Sequence, residues 1–375
     1  MPVLSRVATA NITPLRLGFV CPHNPYDKRA FSGTAFFAAQ ALERHPAIAL
    51  SILGNHRPPR QFDRILRRKT ERIDPESLNF EGLDAIIGLV ASSLIDQIET
   101  AADVPFLHVS DATPGFLRDC YGWSVSPEAD DRERRTVTRA ETCLYSSREM
   151  AERARQEYGI AAHAVPFGLN MATPVAKRVP KPPLRQLELL FVTSDWVRKG
   201  GEIAVATLDR LRASGVAAHL TVVGRLPTQY AHHPGITAVG YLNKNRPHHA
   251  AHLARLYART HLMILPTRAD CTPMVIPEAM AHGTPVLATQ VGGIGSLLGG
   301  EGTGRTLPLE AGPAEWAQTI CEMTKNADLY EMLSDAARDR AENHLNWDIW
   351  SNEVLSILQG TAIWPPLPES KASAA

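Results

Sequence analysis

Short apolar runs alternate with amphipathic stretches along almost the whole chain. In the first half the runs cover 15–20, 48–53, 84–89, 105–109 and 142–145. Each is nearly continuous in apolar character, as strands are when helices cover both faces of a parallel sheet. Gly54 and Asn55 close the second run with a turn signal. Helical periodicity falls between the runs, over 35–44, 93–101 and 148–158. Strand–helix alternation of this kind predicts a doubly wound α/β domain.

The alternation stops after Pro166-Phe167-Gly168. Residues 174–183 hold four prolines and three basic residues. Proline fixes φ and removes a donor, so this stretch reads as a stiff linker. The pattern then restarts, with strands expected at 187–193, 218–223, 236–242, 261–265 and 285–289 and helices at 201–213, 248–257 and 274–282. Helices at 313–325, 328–343 and 347–358 close the pattern. Two domains of one architecture are expected, 1–172 and 173–345. Residues 361–375 read as a disordered tail.

Composition narrows the function. A chain of 375 residues is long enough for two cores, and 44% hydrophobic with 21% charged residues is a globular balance. Lys+Arg 39 against Asp+Glu 39 leaves no basic excess, so nucleic acid is not an expected partner. Five scattered cysteines without a CxxC pair suggest a reducing compartment and no disulfide framework. Residues 1–11 lack the apolar core of a signal peptide, and no run of about 18 apolar residues exists. A cytoplasmic location is expected.

The densest chemical signal is 265–298. An expected strand ends at Pro266, a polar loop follows, and a helix starts near Pro273 or Met274. Ligands of open α/β sheets sit at such strand ends, and the free amides of a helix start favour an anion. Asp270 precedes the helix and Glu278 lies about two turns on, on nearly the same face. Gly292-Gly293 follows the next strand and would let backbone approach a phosphate. Arg198 and Lys199, ahead of Gly200-Gly201, follow the first strand of the half. Two cations there suit a diphosphate whose leaving charge must be neutralised. In the N-terminal half, Ser32-Gly33-Thr34 opens a helix with Ser32 as an expected cap. His108 and Asp111 stand at another strand end, on the acceptor side.

These motifs resemble the retaining glycosyltransferases of the GT-B fold, specifically family 4 (GT4, glycosyl transferases group 1). The resemblance rests on PFGLN at 166–170, DWVRKGG at 195–201 and PTRADCTPMVIPEAMAHGTPVLATQVGGI at 266–294, with SGT at 32–34 and NWDIW at 346–350. It runs over about 15–358. It implies two facing Rossmann-like doubly wound domains, with a C-terminal crossover helix at 346–360 that returns to the first domain. By resemblance, Lys199 with Arg198 would hold the diphosphate, Asp270 the sugar hydroxyls and Glu278 the ribose. Gly33 and Thr34 would approach the donor phosphates. Thr272, Pro273, Met274 and Val275 would line the donor site, and Tyr241 lies where the base meets backbone at 239–242. The implied reaction is transfer of a hexose from a UDP- or GDP-linked sugar to an acceptor hydroxyl of a glycan or lipid-linked saccharide.

The chain departs from the pattern in two places. The first acid, normally Glu, is Asp270. The arginine usual five or six residues before the lysine is replaced by Ser194 and Thr193. An epimerase or hydrolase of the same fold, or a catalytically silent nucleotide-sugar-binding protein, therefore stays open. So do plainer roles: a helix cap for Asp270, a solvated residue for Glu278, surface charges for Arg198 and Lys199, and a structural histidine for His108. His248 and His252 share a helix face, yet exposed helix residues are the expectation. No Asp-x-Asp pair is present, so no metal and no cofactor are expected. Residues 57–73 carry seven cations and two acids. They read as a solvated helix face or as a peripheral contact with the inner face of an anionic membrane.

Overall fold

The computed structural model describes residues 13–57, 73–75, 78–97, 104–171 and 180–360. Most of the cationic run 57–73, part of the 174–183 linker and the tail 361–375 lie outside them. Two six-stranded sheets make up the structure, and every strand pairing in both is parallel.

The first sheet contains β1 (Leu15–Val20), β2 (Ile48–Ile52), β3 (Ala85–Leu89), β4 (Phe106–Ser110), β5 (Thr142–Tyr145) and β6 (Ala162–Ala164), in the order β2-β1-β3-β4-β5-β6. The second contains β7 (Leu187–Val192), β8 (Ala218–Val223), β9 (Ile236–Gly240), β10 (Leu262–Leu265), β11 (Val286–Thr289) and β12 (Gly304–Leu307), in the order β12-β11-β10-β7-β8-β9. The order reverses between β1 and β3 in one sheet and between β7 and β10 in the other. Crevices form at such switch points, beyond the carboxyl ends of the strands.

Local sequence explains the elements. The central strands β3 and β10 are buried at every position, so continuous apolar runs suit them. Helix α4 (Pro127–Arg139) follows Ser126, whose side chain accepts from the Ala129 amide, and carries Pro127, Glu128 and Asp130 in its first turn. Helix α5 (Arg148–Tyr158) is capped by Ser147 and stops at Gly159, which takes φ 71°. The 93–101 helix expectation is only partly met: Ser92–Ile95 is helical, and 98–103 lie outside the described residues.

The C-terminal helices follow the sequence closely: Pro313–Met323, Ala327–Asn343 and α12 (Trp347–Leu358). Helix α12 belongs to the first domain's core. Trp347, Trp350, Val354 and Leu355 pack with Phe37 and Leu42 of α1 (Thr34–Arg44). Arg44 and Asp348 are 2.9 Å apart at the edge of this contact. Among the described residues no helix is long and apolar enough to cross a membrane.

Candidate active site

One cavity of about 830 Å³ lies between the domains and is lined from both. That volume is within the usual range for a small-molecule site. The C-terminal wall is built at the second switch point. The turn after β7 delivers Arg198 and Lys199, and the loop after β10 delivers Asp270. Gly200 makes the close approach possible. It takes φ 77°, and a Cβ there would stand 1.8 Å from the Pro266 carbonyl oxygen.

Lys199 donates to Asp270 Oδ2, and both residues are buried. Arg198 Nη1 lies 3.7 Å from the same oxygen and donates to Ala269 O at 2.7 Å. Its guanidinium sits 5.1 Å from the Tyr121 ring centroid, over the opposite domain's side chain. Asp270 is therefore paired with cations and does not cap the next helix. Helix α8 (Val275–Ala281) has Met274 at its cap position.

Glu278 is fully buried within α8 and still lines the cavity. Lys244 donates to its Oε1, and Tyr257 Oη donates to its Oε2 at 3.1 Å. Burial pushes the carboxyl up, against the pull of Lys244 and the two hydrogen bonds. Thr272, Pro273, Met274, Val275 and the exposed Tyr241 line the same space. The Gly292-Gly293 pair does not. Gly293 N donates to Cys271 O at 2.8 Å, and a Cβ on Gly292 would meet Asp270 O at 1.8 Å. The pair braces the acidic loop from behind instead of facing a phosphate.

The N-terminal wall holds Phe31, Ser32 and Thr34 after β1, Val90 after β3, and Asp111 after β4. Gly33, expected to approach the donor phosphates, is buried at φ 92° in the cap position of α1 and does not itself line the cavity. The expected Ser32 cap is corrected here: Ser32 itself is left-handed, with φ 56°, and makes no cap bond. Burial pushes the Asp111 carboxyl up to about 7, with the Asp270 charge adding to the shift against a backbone hydrogen bond.

His108 is a further correction. It has no exposed surface and does not line the cavity, because it lies two residues inside β4, under the strand end that carries Ser110 and Asp111. Its Nε2 is 3.1 Å from Glu133 Oε1, although neither ring nitrogen makes an aligned hydrogen bond. Glu133 does reach the cavity wall. Burial works to raise its carboxyl, and the attraction of His108 and a hydrogen bond from Ser92 outweigh that and lower it.

The domains touch through specific contacts around the cavity. Ser146 and Thr272 hydroxyls are 2.5 Å apart, and Cys271 N donates to Tyr121 Oη at 3.0 Å. Asn245 bridges at another point: its Nδ2 donates to Asp27 at 2.6 Å and its Oδ1 accepts from Lys28 N at 3.0 Å. Sequence reasoning missed Lys244, Tyr121, Trp123, Glu133 and Asn245 as cavity or bridging residues. The polar Asn243-Lys244-Asn245 stretch, at a strand's carboxyl end, was the one usable signal among them. Trp123 is 54% exposed and also lines the cavity.

Residues 186–326 match the family model described as Glycosyl transferases group 1. The D-inositol 3-phosphate glycosyltransferase of Gordonia bronchialis is 32% identical over 127 residues, which is 34% of this chain and 27% of that protein. The glycogen synthase of Mycobacterium tuberculosis is 26% identical over 262 residues, 65% of this chain and 60% of that protein. The chain thus spans between about a quarter and three fifths of the length of these curated relatives. Among solved structures, sucrose-phosphate synthase from Thermosynechococcus elongatus superposes with TM-score 0.69 at 17% identity, covering 92% of this chain and 98% of that one. HepE of Anabaena, solved in complex with UDP and glucose, gives 0.63 at 14%, covering 92% and 100%. At such identities the likeness shows the fold, which is the two-domain GT-B architecture. The family match falls within the C-terminal domain.

Proposed function

We propose that the chain transfers a hexose from a nucleoside diphosphate sugar to an acceptor hydroxyl with retention of anomeric configuration. The observation that carries this reading is the second switch point. There Lys199, Arg198 and Asp270 meet in one cavity with Glu278 beyond them and Asp111 across the cleft.

In this reading the donor lies along the C-terminal wall. Glu278 accepts from the ribose hydroxyls, with Lys244 and Tyr257 holding its carboxylate in place. Lys199 and Asp270 exchange partners when the donor enters. Lys199 turns to the diphosphate and Asp270 to the hexose hydroxyls, so neither charge is left buried and alone. Arg198 supplies the second cation. The bond from C1 to the diphosphate oxygen breaks, the acceptor oxygen bonds C1 from the same face, and the departing diphosphate takes the acceptor's proton. Asp111 accepts from a neighbouring hydroxyl of the acceptor and so orients the attacking one, whose own hydrogen faces the diphosphate. Catalysis then rests on positioning and on charge stabilisation in a water-poor cleft. With two cations on the leaving group, no metal is required. The acceptor is a glycan or lipid-linked saccharide, and contact with a membrane through 57–73 remains part of the proposal.

Calorimetry with UDP, GDP and ADP, with and without a chelator, tests the donor site. One nucleotide is expected to bind, unaffected by chelator, and Glu278→Ala is expected to weaken it by about 10- to 100-fold, the loss of hydrogen bonds to a charged group. UDP is the first choice because the structurally similar HepE was solved with it. A folded protein that binds none of the three would sink the reading. Binding of one without turnover of its sugar derivatives would favour a silent binding protein.

A further inference from the structure

Two sequence motifs, PFGLN and NWDIW, receive no role from the donor reading. In the structure they are each other's partner. Phe167 stacks on Trp347 with ring centroids 5.5 Å apart, and Leu169 N donates to Leu345 O at 2.9 Å. Gly168 leaves no space between the segments: a Cβ there would stand 2.3 Å from Trp347 N. Asn170 ends the segment and is 1% exposed. Its Oδ1 accepts from Trp347 Nε1 at 3.0 Å. Its Nδ2 donates to Ser32 O at 3.0 Å and to Thr34 Oγ1 at 3.1 Å.

An indole N–H only donates, and a carbonyl oxygen only accepts. Trp347 therefore fixes which way the Asn170 amide faces, with its oxygen to the indole and its nitrogen to the loop. The loop needs such a hold. Phe31, Ser32 and Gly33 have φ of 48°, 56° and 92°. Left-handed non-glycine residues are strained and persist only where their surroundings over-determine them. Phe31, Ser32 and Thr34 line the cavity, whereas Asn170 does not.

We propose that Asn170 is a positioning residue. It holds the 31–33 loop in its left-handed turn, and Trp347 sets its orientation. The donor-facing loop, the junction between the domains and the closing helix are thereby tied at one amide. The link to catalysis rests on the donor reading above; the hold on the loop does not.

The test compares Asn170→Leu, a near-isosteric change that removes all three hydrogen bonds, with Trp347→Phe, which removes the indole donor and keeps an aromatic ring. Hydrogen exchange is read on the full-length chain. Amides 31–34 are expected to exchange at least 10-fold faster in Asn170→Leu and about 3-fold faster in Trp347→Phe, with β7–β12 unchanged. Unchanged exchange at 31–34 in both variants overturns the proposal, as does uniform acceleration across the whole first domain. Should Asn170→Leu fail to fold, Trp347→Phe alone decides by the same criterion. Turnover gives the second readout: donor KM is expected to rise about 10-fold in Asn170→Leu with a smaller change in kcat. Faster local exchange in a chain whose wild type binds no nucleotide would uphold the hold on the loop and remove the donor reading.

Discussion

Both domains must bend the chain sharply where a strand gives way to the cleft, and they do it with different residues. The C-terminal domain uses glycine. Gly200 after β7, Gly224 after β8 and Gly292 after β11 take φ of 77°, 121° and 53°. At each, a Cβ would come within 1.8–1.9 Å of a backbone carbonyl oxygen, those of Pro266, Thr193 and Asp270. Beside Gly33 and Gly54, the N-terminal domain uses Phe31 and Ser32 after β1 and Val90 after β3. Among the described residues these three are the only non-glycines with positive φ. Glycine reaches that region at no steric cost, whereas other residues spend roughly 1–2 kcal/mol there. The C-terminal wall thus turns without left-handed strain on a side chain, and the facing wall is held in place against its own preferences.

The charges divide the same way. On the C-terminal wall Asp270 is paired with Lys199, and Glu278 with Lys244. Across the cleft, burial and the nearby Asp270 charge push the Asp111 carboxyl up to about 7.

The sharpest way to break the comparison is Gly292→Ala. The methyl group would enter the space of the Asp270 carbonyl in a backbone region that L-residues avoid. A loss of about 3 kcal/mol or more is expected, together with loss of nucleotide affinity, because the loop carrying Asp270 must shift. Denaturant unfolding and calorimetry read the two effects. Gly159→Ala is the control: its φ is 71°, but a Cβ there meets nothing within 4 Å. It should lose only about 1–2 kcal/mol, the left-handed cost alone. Equal losses at the two sites would mean that close packing behind the acidic loop is not what glycine secures.

Next in size is Asp111→Asn. The folded carboxyl titrates near 7 against an ordinary value of 3.8. The folded chain therefore binds more protons than the unfolded chain between about pH 4 and 7, and stability falls as pH rises through that window. Asn carries no charge, so the variant should gain on the wild type by about 1–2 kcal/mol at pH 8, allowing for partial solvent contact, and lose that gain below pH 4. Acceptor KM should rise at pH 8 with donor affinity unchanged. A pH-independent difference in stability would remove the contrast between the two walls.

The contrast also explains what the sequence could reveal. The C-terminal wall is written in residue types with few alternatives: glycines where no Cβ fits, adjacent cations at a strand end, and two acids about two turns apart. Most strands of both sheets were likewise readable, since buried parallel strands leave continuous apolar runs; the short, partly buried edge strands β6 and β12 left no such run and were missed. The N-terminal wall is held by contacts distant in sequence. Nothing local announces that Ser32 is left-handed, since the hold comes from Asn170, 138 residues away. His108 looked like a strand-end group, but one more pair of residues in β4 places it beneath the wall. Tyr121 ends α3 (Pro114–Tyr121) and owes its place to Cys271 and Arg198 of the other domain, and Trp123 just after it packs on the Tyr121 ring.

Ser32→Gly gives the smallest effect and the finest test. Glycine relieves the left-handed strain, about 1–2 kcal/mol, but adds conformational freedom to the unfolded chain, about 0.5–1 kcal/mol in the opposite sense. The two nearly cancel, so stability should stay within about 1 kcal/mol of the wild type and fall on the favourable side. Function should respond differently, because a glycine at 32 lets the loop leave its turn while the Asn170 bond to the residue 32 carbonyl is still available. Donor KM should rise a few-fold with kcat nearly unchanged. A clear loss of stability would mean that the serine's conformation is not strained in context. Unchanged kinetics would mean that the loop's left-handed shape is incidental to the donor. Retained stability with a weaker donor would instead place the strain where the N-terminal wall differs from the C-terminal one, in a turn kept for what it faces.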